Sequence, residues 1–235
     1  MLRHLLVTGE IYSYIVNLLL TLPIILLALS LHETAHGFAA SKLGDPTARS
    51  MGRLTLNPLK HLDPIGFICM VLFGYGWAKP VPINSRYFKK PRRDMAITAL
   101  AGPVSNLLLA AVFTLLLKGA SMVLFSISYP SELAATMAGY VIIFLYYGIS
   151  LNVTLAVFNL IPVPPLDGSR IVTAFLPPKL AYAYLKYERM LSIILMVALF
   201  VGFSSVIGII TTLVVKLFMT AGFMRNTPVW YFLFG

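Results

Sequence analysis

Residues 11–42 read IYSYIVNLLLTLPIILLALSLHETAHGFAASK, and this stretch decides the class of fold. From Ile11 to Leu31 it carries no charge, and as a helix it is long enough to cross the roughly 30 Å hydrocarbon layer of a bilayer. The run passes without a break into His32-Glu33-Thr34-Ala35-His36. Four residues apart on a helix, His32 and His36 project from one face, where two imidazoles can hold one zinc ion. Glu33 stands beside them as a general base toward water at the metal. An ionisable residue near bilayer depth costs at least ~2.5 kcal/mol on insertion scales. Two histidines and a glutamate at that depth therefore point to a hydrolytic metal site; the plainer alternative is a helix end whose side chains meet headgroups and water.

Composition agrees with the class. Of 235 residues, 59% are hydrophobic and 11% charged, and the mean hydropathy is +0.87, values of a polytopic membrane protein. The expected architecture is all-α, one domain over residues 1–235 with no appended soluble domain. It has about four full transmembrane helices: a zinc helix over about 11–42 and spans over about 95–117, 136–161 and 190–215. Between the first two, Pro64 to Ala78 is also uncharged but short, and it carries Gly66, Gly74 and Gly76. A segment over about 64–83 is therefore expected to be re-entrant or extended.

The net charge of +10 would suit nucleic acid, but its distribution argues for membrane orientation and against a nucleic-acid partner. Lys79, Arg86, Lys89, Lys90, Arg92 and Arg93 cluster after the short segment, with Lys42, Arg49, Arg53 and Lys60 before it and Arg170, Lys179, Lys186 and Arg189 after the third span. The loop from Lys118 to Ser131 holds one lysine. By the positive-inside rule the loops around 42–94 and 167–189 are cytoplasmic, which leaves Arg3, Lys216 and Arg225 on the outer side. Arg3 with Ala28-Leu29-Ser30 offers the minimum of a cleavable signal, but the apolar run is long for one. Cys69 is the single cysteine, so no intramolecular disulfide is possible. Tyr182, Tyr184 and Tyr187, beside Lys179, Lys186 and Arg189, read as interfacial anchors, and His61 as a surface or loop-bracing residue.

Catalytic zinc usually takes three protein ligands. Among the remaining acidic residues Asp167 stands out, because it follows Asn159-Leu160-Ile161-Pro162-Val163-Pro164-Pro165-Leu166 at the end of an uncharged run. There the prolines break the helix and free backbone groups that need a polar cavity. His32 and His36 lie roughly 9 to 15 Å along the helix from Lys42, a depth Asp167 shares on this topology. Zn²⁺ with two neutral imidazoles, Asp167 and Glu33 sums to zero charge, which a low-dielectric site tolerates.

Across most of its length the chain resembles the site-2 protease family of intramembrane zinc metalloproteases, in its small form without PDZ or CBS domains. His32-Glu33-Thr34-Ala35-His36 corresponds to that family's first motif, Asn159-x-x-Pro162-x-x-x-Leu166-Asp167-Gly168 to its second, and Gly102-Pro103-Val104-Ser105-Asn106 to the Gly-x-x-x-Asn element between them. Gly44-Asp45-Pro46-Thr47 and the stretch from Gly52 to Pro64 read like the segment that follows the first motif in small bacterial and archaeal members.

The resemblance implies that His32, His36 and Asp167 ligate one Zn²⁺ per chain, that Glu33 activates water, and that Asn159 donates to the developing oxyanion; Asn159 could instead be an interhelical hydrogen bond or a helix-end cap. Asn106 and Gly102 would contact substrate, or serve packing alone, and Asn152 is read as packing. Trp77 and Pro80 belong to a membrane-dipping extended element that would clamp an unwound substrate, with a structural hairpin as the alternative. The implied partners are the lipid bilayer and a transmembrane protein substrate, cut within or near its membrane segment in regulated intramembrane proteolysis. The implied location is a prokaryotic cell membrane, with the active site nearer the cytoplasm. A membrane zinc transporter or a non-catalytic helix-binding scaffold using the same groove are the readings from other classes.

Overall fold

The computed structural model describes residues 11–73, 76–199, 202, 204–222 and 227–234; Arg3 and Arg225, assigned above to the outer side, lie outside them. Apolar runs without backbone breakers become long helices, because a helix satisfies every peptide group within one segment. These are α1 (Ile11–Lys42), α4 (Pro91–Leu124) and α5 (Glu132–Asn159). The shorter helices are α2 (Thr47–Ser50), α3 (Pro64–Phe73), α6 (Asp167–Phe175), α7 (Pro178–Lys186), α8 (Glu188–Ala198), α9 (Ser204–Ala221) and α10 (Pro228–Phe234). Among the described residues no strand forms; a single antiparallel bridge joins Leu62 to Ala78.

With 32, 34 and 28 residues, α1, α4 and α5 are each long and apolar enough to cross a membrane. They cover the zinc helix and the second and third expected spans, and α5 stops at Asn159 because Pro162, Pro164 and Pro165 follow. Within the fourth expected span, 190–215, the described residues include α8 and α9, with Gly202 between them at φ +136°. The segment over 64–83 is both helical and extended. α3 has ten residues, about 15 Å of rise and half a bilayer core, and the chain from Gly76 to Asn84 returns without regular structure.

α4 is the central helix and packs against α1, α5 and α6, while α9 packs on α5. Ile24, Phe113, Leu117, Ile149, Val153 and Met219 form part of the main core. A smaller cluster of Leu166, Leu195, Leu199 and Ile207 packs behind the loop that delivers Asp167.

Candidate metal centre and active site

The helical spacing puts His32 and His36 on one face of α1, and the proline-rich turn after α5 brings Asp167, first residue of α6, against them. Gly168 lets that turn close, since a Cβ there would collide with the carbonyls of Leu160 and Ile161. His32 Nε2 lies 3.0 Å from His36 Nε2, and Asp167 Oδ2 lies 3.1 Å from the first and 3.2 Å from the second. Both histidines are buried.

Each ring is fixed from behind. His36 Nδ1 is 2.7 Å from the Thr98 carbonyl, which can only accept, so this nitrogen carries the proton and Nε2 bears a lone pair. His32 Nδ1 is likewise 2.6 Å from Asn106 Oδ1. Two lone pairs and a carboxylate oxygen thus face one another with no donor of their own, an arrangement satisfied only by a shared proton or by a cation in their midst. Ligands at 2.0–2.1 Å in a tetrahedral zinc site stand about 3.3 Å apart, close to the separations found. The donor set and its spacing fit zinc.

Two expected substrate contacts have a different place. Gly102 is buried against the metal-binding face, and a Cβ on it would collide with both imidazoles. Asn106 is fully buried behind His32, where it holds the ring and cannot meet a substrate. By contrast, Trp77, Pro80 and Asn159 line one cavity of about 500 Å³ with His32, Glu33, His36 and Asp167. Within it Asn159 Nδ2 donates to Leu155 O at 3.0 Å, so one amide hydrogen is turned back onto its own helix.

The extended segment reaches the site through its backbone. Val81 N–H donates to Glu33 Oε2 at 2.8 Å, which orients the carboxylate. Behind it, the buried Arg53 donates to the carbonyls of Lys79 (2.7 Å) and Pro80 (3.2 Å), and Lys79 N–H donates to His61 O. His61 is a buried brace, its Nε2 2.7 Å from Thr55 O, and not a surface residue. Asp45 closes the other end, accepting from the Thr47 side chain, from Thr47 N–H at 2.9 Å and from Asn84 N–H at 2.7 Å. Burial alone would raise the Asp45 pKa; those hydrogen bonds prevail and lower it.

The sequence over residues 20–205 matches peptidase family M50. The chain belongs to peptidase family M50. Among curated relatives of this M50 chain, the "Putative zinc metalloprotease YwhC" of Bacillus subtilis is 44% identical over 154 residues, 66% of this chain and 68% of that protein. Rip2 of Mycolicibacterium smegmatis, named in the same terms, is 33% identical over 172 residues, 71% of this chain and 61% of its own length. MJ0611 of Methanocaldococcus jannaschii, also so named, is 34% identical over 110 residues, 46% of this chain and 49% of its own. No solved structure matches the M50 chain. It is a zinc metalloprotease with an all-α, membrane-type fold, which sets the enzyme reading above the transporter and scaffold alternatives.

Sequence reasoning missed the Thr98 carbonyl, Val81 N–H and Arg53, because they act through backbone groups that no side-chain motif encodes. Asn152, read as packing, is fully buried and joins α4 to α5 through its bond from Asn106.

Proposed function

We propose that this M50 peptidase hydrolyses a peptide bond within or near a transmembrane segment of another membrane protein, with His32, His36 and Asp167 holding one zinc per chain. The observation that carries this reading is the surroundings of the site. Its cavity adjoins a second of about 430 Å³ between α1, α3, α5 and α9, and the two share Leu29, Gly76, Leu155 and Phe158. A mostly apolar approach of that kind suits a segment arriving from lipid.

When bound, zinc would supply Lewis acidity to the scissile carbonyl and to water. Glu33, held by Val81 N–H, takes the proton from the attacking water and passes it to the leaving amine. Asn159, on the cavity wall, offers its remaining amide hydrogen to the developing oxyanion. A helix hides its carbonyls in its own hydrogen-bond ladder, so the substrate must unwind, and residues 77–83 present an extended backbone beside the base. The basic loops next to the site favour a cytoplasmic entry for water and a cell membrane as location, in a prokaryote like those carrying the relatives named above.

The test uses purified wild type and Glu33→Gln with a transmembrane substrate in detergent. About one zinc in both, with cleavage by wild type alone, supports the reading. Cleavage confined to soluble peptides, or undiminished in Glu33→Gln, overturns it.

A further inference from the structure

Three helices meet at a buried line of amides behind His32. Asn106 on α4 and Asn152 on α5 are both fully buried. Asn152 Nδ2 lies 2.8 Å from the Gly148 carbonyl. Because a carbonyl only accepts, the atom facing it must be the amide nitrogen, and Asn152 Oδ1 must face the other way. There it receives Asn106 Nδ2 at 3.0 Å. Asn106 Nδ2 also lies 3.3 Å from the carbonyl of Ala28, four residues before His32 on α1. With its nitrogen committed on both counts, Asn106 can present only Oδ1 to His32, at 2.6 Å. Donation therefore runs one way, from the imidazole through Asn106 and Asn152 to the Gly148 carbonyl: His32 Nδ1 must carry the proton, and Nε2 must carry the lone pair that points to Asp167 and His36.

We propose that Asn152 is a positioning residue for His32, acting through Asn106 to fix the ring's tautomer and its angle toward the metal. The proposal rests on the reading of His32 as a zinc ligand. Without an oxygen at 152 the Asn106 nitrogen keeps a single long bond, to Ala28, so the amide is held less firmly and the orientation it imposes on His32 through Oδ1 weakens. Partners behind a metal-bound histidine commonly set affinity by about 10 to 100-fold. No structural consequence for α5 is needed, since leucine and alanine are at home in a membrane helix.

The experiment is a zinc-affinity cycle on the full chain in detergent, using chelator competition on wild type, Asn152→Ala, Asn106→Ala and the double variant, with the Tm of each metal-free form. Asn152→Ala is expected to bind zinc about tenfold more weakly, and to add nothing in the Asn106→Ala background, because its route to the metal has already been cut. Asn152→Asp, which keeps an oxygen facing Asn106, should hold zinc within about threefold of wild type. Asn152→Leu repeats the test without a cavity should the alanine variant not fold. Wild-type affinity in Asn152→Ala and Asn152→Leu overturns the proposal, as does a loss that persists undiminished in the Asn106→Ala background, the mark of mere packing. If wild type and His32→Ala bind zinc equally, the ligand assignment fails instead, and the proposal falls with it.

Discussion

At Gly102 one added atom would strike the metal-binding histidines directly, because its missing side chain is the space that both imidazoles occupy. Gly102→Ala is expected to weaken zinc binding at least tenfold, in the range of other disturbances to metal-supporting groups, while circular dichroism shows the helices intact; zinc per chain after dialysis gives the answer. His36→Ala and Asp167→Ala should lose metal and turnover together, and full zinc with full activity in Asp167→Ala would refute the ligand set. These residues were legible because histidines four apart, with a glutamate between, leave a pattern in the chain, and because Asp167 is one of few acids beside an apolar run. Asn106 was visible as part of a motif, yet its task was not. Spacing shows that an amide shares the neighbourhood of a ring, but not whether it stands before the ring or behind it.

At the scale of elements, the stretch from Gly76 to Asn84 has little of its own to hold it in shape; Arg53, His61 and Asp45 grip it from the preceding loop. Arg53→Gln is expected to speed hydrogen exchange at Val81 and to lower kcat several-fold, with zinc content unchanged, since it loosens the base but not the ligands; equal exchange in variant and wild type would remove Arg53 from this role. Asp45 makes the grip pH-dependent. Its folded pKa lies below the unfolded value of about 3.9, so its contribution is complete above that pH and disappears as pH falls through the folded value. The Tm advantage of wild type over Asp45→Asn should accordingly be constant from pH 7 to about 5 and shrink below pH 4. Length and glycine content pointed to a short or extended segment over 64–83, where the described residues form the ten-residue α3 and an irregular stretch from Gly76. They were silent on α8 and α9 as separate helices within 190–215, because both pieces are apolar.

For the molecule as a whole, the class was readable from composition, since a chain so apolar has only helices with which to cross lipid. The pairing of helices was not, because apolar faces of similar character do not announce their neighbours. Zinc removal tests the assembled unit: dialysis against a chelator should abolish cleavage and lower the Tm, and zinc at a thousandfold above its Kd should restore about 4 kcal/mol. Persistence of cleavage in the metal-free protein would contradict the chemistry assigned here. The candidate ligands lie far apart in the chain, His32 standing 135 residues before Asp167. At roughly 5–20 residues per second of synthesis, the first two ligands wait on the order of ten seconds for the third. During synthesis the site therefore stays incomplete until residue 167 of 235 has been added, and a shorter partial chain cannot assemble the full ligand set.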